Sequence, residues 1–190
     1  AASDVYKRQN VVSAASRLLA CTLIKNNIQQ YILERTARSK MKDYTAANIR
    51  NIGVFGHGGE GKTTLTEAML FNAGLLERLG KVENGTTTTD FDPEEIKRTI
   101  SINAALAPLE WKDTKINVID APGFFDFYGE VSAAMALADS ALIVVGAVSG
   151  PVVGVEKAMN MCKKAGKPRM MVVNQMDREN ANFTKTMAEI

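Results

Sequence analysis

Gly56-His57-Gly58-Gly59-Glu60-Gly61-Lys62-Thr63-Thr64 fits the phosphate-binding spacing GxxxxGK[ST]. Glycines let such a backbone curl until successive N–H groups face a phosphate at a helix N-terminus. Lys62 then reaches the outer phosphates, and the Thr63 hydroxyl can ligate Mg2+. Further on, Asp120-Ala121-Pro122-Gly123 is a DxxG. An aspartate there can hold a water of the Mg2+ shell, and the Gly123 N–H can bond a γ-phosphate and lose that bond when the phosphate leaves. Asn174-Gln175-Met176-Asp177 is an NxxD. Asp177 can accept from the N1–H and N2–H2 edge of guanine while the Asn174 amide serves the other edge, and adenine offers no matching donor pair. A buried carboxylate deprived of those bonds would lose roughly 1.5–3 kcal/mol for each. Each motif has a plainer reading, as a glycine-rich turn or an ordinary strand-to-helix turn. The three in this order and spacing point instead to one GTP-binding site.

Strands and helices must deliver these groups. Ile52 to Phe55 reads as a buried strand before the first loop, and Leu65, Met69, Ala73 and Leu76 repeat at helical spacing after it, on a helix running to about Leu79 with a kink or early end at Gly74. Lys81 to Pro93 is polar, threonine-rich and without apolar period, a loop of the functional or disordered kind. Ile100, Ile102, Ala104 and Leu106 alternate as a strand up to Pro108. After a turn at Lys112-Asp113 a second strand, Ile116 to Asp120, pairs with it antiparallel. Helices over Val131–Ala138 and Val155–Cys162, the latter closed by Gly166, alternate with strands Ala141–Val145 and Met170–Val173. Met159 and Met161 read as core fillers.

The chain has 190 residues, 46% hydrophobic, enough for about one domain with its own core. The net charge of +2 hides an asymmetry: residues 1–40 carry seven Lys/Arg against two acids, or +5, so the remainder is 2 − 5 = −3. That body gives no reason to expect sequence-specific nucleic-acid binding. Cys21 and Cys162 are too far apart, and too poor in His or Cys neighbours, for a zinc site or a disulfide framework, and read as buried thiols in a reducing cytoplasm. The longest apolar run, Val11 to Ile24, is shorter than the roughly eighteen residues of a membrane span and is broken by Arg17. Val12 to Ile32 can form a basic amphipathic helix. Residues 1–40 are read as an N-terminal extension, sequence upstream of a true start at Met41 in preference to a transit peptide or a packed native helix.

From Met41 to Ile190 the sequence resembles the N-terminal GTPase domain of the bacterial elongation factor G family. Beyond the motifs, Thr66-Glu67-Ala68-Met69-Leu70-Phe71 followed by Gly74, Gly80-Lys81-Val82 leading to Asp90, and Asn174 to Phe183 carry the resemblance. It implies an α/β P-loop GTPase fold: a mostly parallel central sheet with helices on both faces, six-stranded in the family, of which five strands lie before Ile190. It also implies GTP and GDP as ligands, Mg2+ as the ion, the ribosome as the partner of the full-length protein, a monomeric state and a cytoplasmic location. Gly56, Gly61, Lys62, Thr63 and Thr64 match the family's phosphate loop, with Gly58, Gly59 and Glu60 among the backbone contacts. Gly59 stands at the family's aspartate, the side chain on which monovalent-ion binding there would rest, and Gly58 stands at its hydrophobic gate. Arg98-Thr99-Ile100-Ser101-Ile102 aligns with Arg-Gly-Ile-Thr-Ile, so Ser101 replaces the Mg2+-binding threonine. The implied metal set is thus Thr63, Ser101 and Asp120, and the catalytic pair Lys62 and Gly123. Phe124 replaces the histidine that orients the attacking water; losing such a group typically costs about 10²–10⁴ in rate, and the expected hydrolysis is slow or atypical. Gln175 replaces the lysine of NKxD, keeping a stem to pack on the base. His57 reads as structural. These departures resemble the divergent, paralogous branch of the family.

The reading that follows is a translational GTPase coupling hydrolysis to translocation on the ribosome, ordering Thr86–Ser101 with GTP and releasing them with GDP. Its alternatives are a GTP-dependent switch or binding module with little hydrolysis, a ribosomal-protection or release-factor type of translational GTPase, and a partitioning-type ATPase, the last opposed by Asn174 and Asp177.

Overall fold

The computed structural model describes residues 42–190, which form one compact unit. The N-terminal extension, its amphipathic helix and Cys21 lie outside the described residues.

Five strands make one sheet: β1 (Ile49–Gly56), β2 (Ala105–Trp111), β3 (Thr114–Asp120), β4 (Ser140–Gly146) and β5 (Arg169–Asn174), in the order β2-β3-β1-β4-β5. β1 runs parallel to β3 and β4, and β4 parallel to β5; only β2 is antiparallel, to β3. The β2–β3 hairpin turns on Lys112 and Asp113, whose φ of 46° and 59° belong to the two-residue turn that matches strand twist. Pro108 is tolerated because β2 is an edge strand.

The central strands are apolar on both faces, as parallel strands covered on two sides must be. Val54, Val118 and Val144 share one face with Leu109 and with Leu70 of α1 (Lys62–Asn72). Phe55, Ile143 and Val145 face the other way, onto Met135 of α3 (Tyr128–Leu137) and Val155, Ala158 and Cys162 of α4 (Val153–Ala165). Cys162 is buried, as expected. α4 ends at Gly166 with φ of 62°, the left-handed stop that glycine takes most readily. A last helix, α5 (Phe183–Glu189), is capped by the Asn182 side chain.

Two expectations need correction and a third an addition. α1 stops at Asn72, well before Leu79, and Gly74 follows at φ 76°, the early end its glycine permitted. The polar stretch is a loop, as read, with a 3-10 turn at Val82–Asn84, but it passes directly into a helix that the reading did not place, α2 (Pro93–Arg98). Asp92 caps α2 with a full capping box to Glu95, and Pro93 occupies its first turn, a signature written in Asp92-Pro93-Glu94-Glu95. The strand placed from Ile100 begins only at Ala105. Before it, the N–H groups of Ile102 and Asn103 both go to Glu95 Oε1 at 2.9 Å, and that of Ala104 to Glu130 Oε2 at 3.1 Å. Carboxylates have taken the donors that a strand ladder would use.

Candidate nucleotide-binding site

β1 ends in the glycine loop, and α1 starts at Lys62 immediately after it. Gly56, Gly59 and Gly61 have φ of 146°, 82° and 84°, a sequence of turns that side chains resist. At Gly61 a Cβ would also lie 2.5 Å from Asn174 Nδ2. Lys62, Thr63 and Thr64 occupy the first turn, whose N–H groups have no acceptor within the helix. Lys62 and Thr63 are buried, whereas Thr64 is exposed.

Lys62 Nζ donates to the His57 carbonyl at 2.7 Å. Burial pulls this ammonium below its ordinary value, against the opposing influence of Asp120, Glu60 and Asp90. Asp120, 2% exposed at the end of β3, accepts from Thr89 Oγ1 at 3.1 Å through Oδ2, while its buried Oδ1 has no partner. Burial pushes its carboxyl up, with Lys62, Thr63 and Thr89 resisting. Thr63 Oγ1 and Ser101 Oγ lie 3.0 Å apart. Asp90 completes the group. Burial pushes its carboxyl up to about 7, a Ser101 hydrogen bond opposing and the charge of Asp120 adding to it. Two hydroxyls, two acids and an orphaned carboxylate oxygen suit a hard divalent cation that prefers oxygen ligands. Sequence reasoning named Thr63, Ser101 and Asp120 and missed Asp90, whose signal was an acid at the end of a threonine run.

Gly123 sits on the glycine loop. A Cβ there would run into Lys62 Nζ and lie 2.5 Å from Gly58 N. Phe124 follows with its ring over Gly58, where a Cβ would lie 2.7 Å from the ring edge. The two departures noted at the gate and at the histidine are therefore one arrangement: the bare Gly58 makes room for the aromatic. His57 packs beside this ring, 6.4 Å between centroids, and against Gly154 of α4, where a Cβ would approach it to 2.8 Å, in keeping with a structural role.

On the opposite side, the turn after β5 is stitched to the same loop. Asn174 Nδ2 donates to the Glu60 carbonyl and Gln175 Nε2 to the Gly59 carbonyl, both at 2.8 Å. Gln175, at φ 61°, thus uses its amide on the phosphate loop. Glu60 is 5% exposed and accepts from Ser149 Oγ at 2.7 Å. Asp177 is exposed, so the desolvation that would make its base reading strict is not supplied by the described residues.

A family model described as the elongation factor Tu GTP binding domain matches residues 47–190. The chain belongs to this family. It carries a GTP-binding domain of the elongation factor Tu type. Among relatives of the domain, the mitochondrial ribosome-releasing factor 2 of Debaryomyces hansenii is 39% identical over 154 residues, which cover 81% of this chain and 18% of that protein. Elongation factor G 2 of Borreliella burgdorferi is 38% identical over 143 residues, 75% of this chain and 21% of that one. A solved protein from Thermus thermophilus shares 41% identity at a TM-score of 0.72, covering 75% of this chain and 22% of that one. Translation elongation factor SelB of Methanococcus maripaludis, solved with the GTP analogue GPPNHP, shares 26% identity at a TM-score of 0.52, covering 74% and 24%. The chain spans about a fifth of the length of the curated relatives it matches. Among the described residues no helix of this GTP-binding domain is long and apolar enough to cross a membrane.

Proposed function

We propose that this domain binds GTP and Mg2+ between the glycine loop and the turn after β5, and serves a ribosome-associated factor of the elongation factor G or ribosome-releasing type. One observation carries the reading: the same loop is bonded to the base-side turn by Asn174 and Gln175 and lies under Gly123 of the β3 turn on its other side. Thr63, Ser101, Asp90 and Asp120 would hold the Mg2+, which supplies charge neutralisation to the phosphates when bound. Lys62 serves the outer phosphates, Thr64 and the loop glycines contribute backbone N–H groups, and Gly123 contributes its N–H beside Lys62. Asp177 and Asn174 read guanine.

The ring of Phe124 has no donor or acceptor to orient a water, so hydrolysis by this domain alone is slow. That feature also favours a second reading, a GTP-dependent switch with little turnover of its own. The cytoplasmic location expected from the sequence competes with the mitochondrial one in the fungal relatives' names, and fractionation decides between them. Titration with labelled GTP, GDP and ATP tests the core of the proposal: guanine nucleotides bind and ATP does not, and Asp177→Asn moves the preference from guanine toward xanthine. Equal binding of ATP and GTP would refute the base assignment. Turnover with and without ribosomes then separates the translational enzyme, stimulated by them, from the switch, which is not.

A further inference from the structure

Glu67 is 1% exposed in the middle of α1. A carboxylate taken so far from water needs hydrogen bonds, and this one receives two from a single residue of the threonine loop. Thr88 N–H donates to Oε2 at 2.9 Å and the Thr88 hydroxyl to Oε1 at 3.1 Å. The chain is cleared for the contact: at buried Gly80 a Cβ would lie 2.5 Å from Glu67 Oε1 and 2.5 Å from the Thr86 carbonyl oxygen. Thr86 in turn closes back on Lys81, its N–H donating to the Lys81 carbonyl at 3.2 Å and its Oγ1 accepting from the Lys81 N–H at 3.0 Å. This small ring is thus flanked by the two residues that meet Glu67, Gly80 before it and Thr88 after it. Directly after Thr88 come Thr89, bonded to Asp120, and buried Asp90.

We propose that Glu67 is a positioning residue, a latch that fixes the threonine loop to the helix bearing Lys62 and Thr63. Glu67 lies one helical turn beyond Thr63, so the cation-side hydroxyl and the latch move as one rigid piece. Asp90 is thereby carried to the groups it must meet, in a loop whose free ordering would be entropically costly. The latch stands on geometry alone; its purpose rests on the nucleotide reading above.

Amide hydrogen exchange on the full 190-residue chain without nucleotide reads the latch directly. Glu67→Gln places an NH2 where an acceptor stood, Gly80→Ala attacks the contact from the loop, and Thr88→Ser keeps both donors. Exchange from Thr86 to Asp90 rises about tenfold or more in the first two, stays near wild type in Thr88→Ser, and is unchanged in β1 and β4. Unaltered loop exchange in both Glu67→Gln and Gly80→Ala overturns the proposal. So does a rise spread evenly over β1, β4 and the loop, which would give Glu67 a role in folding only. With Mg2+ present, fluorescent GDP leaves Glu67→Gln about threefold faster than wild type, and the difference vanishes in EDTA. A wild-type chain that binds no nucleotide refutes the proposed function, and the exchange measurement still judges the latch.

Discussion

Gly58 and Gly123 lie against each other beside the candidate phosphate site, and each lacks room for a side chain for a different steric reason. A Cβ at Gly58 meets the far end of the Phe124 ring, which is 38% exposed and free to swing away. A Cβ at Gly123 meets the Gly58 backbone and the buried Lys62 ammonium, which are not. Gly58→Ala should therefore cost less than about 1 kcal/mol, and Gly123→Ala roughly 1–3 kcal/mol or more, by urea denaturation. On the proposed reading, Lys62→Ala would remove a charge-assisted contact to the phosphates and should weaken GTP binding by about ten- to a hundredfold for each bond lost, as read by equilibrium titration. Asp90 supplies a pH dependence. Burial pushes its carboxyl up to about 7 when folded, above its ordinary value of 3.8, so folding without nucleotide takes up a proton between those values. Stability should fall as pH rises from about 4 to about 7, and Asp90→Asn should make that slope shallower, Asp120, whose carboxyl burial also pushes up, supplying a remainder of the same sign. Denaturant midpoints measured across this range check the sign.

Among the elements, α2 decides where the Ser101 segment lies. Glu95, 1% exposed, caps its own helix through Asp92 N–H and accepts from Ile102 and Asn103 with its other oxygen. Glu95→Ala would strand two backbone donors and the cap, costing about 2–4 kcal/mol in stability. Exchange at Ile102 and Asn103 should rise with it, and unchanged protection there would contradict the anchoring role. The alternation of Ile100, Ile102 and Ala104 read as a strand because periodicity reports side chains and is blind to where backbone donors go. The capping box of α2, by contrast, was present in the sequence and readable by its own rule.

For the whole molecule, the sheet order brings the C-terminal ends of β1, β3 and β4 side by side, with β5 next to β4. Loops that leave adjacent parallel strands at the same edge converge there, which is why motifs more than a hundred residues apart, such as Gly59 and Gln175, share a hydrogen bond. Helices cover both faces, so this edge is where the loops can gather.

The glycine loop, the DxxG and the NxxD were legible because each is a run of a few residues whose chemistry depends on local spacing. β1, β4 and β5 were legible as short unbroken apolar runs and the β2–β3 hairpin by alternation, though alternation misplaced the start of β2 at Ile100 instead of Ala105. Other features waited on the fold. Asp90 reaches Ser101 and Asp120, Thr88 reaches Glu67, and Gly58 receives Phe124 through contacts between segments distant in the chain. Sequence spacing carries local conformation, but a hydrogen bond or a steric clearance between remote residues exists only once tertiary packing has put them within a few ångströms.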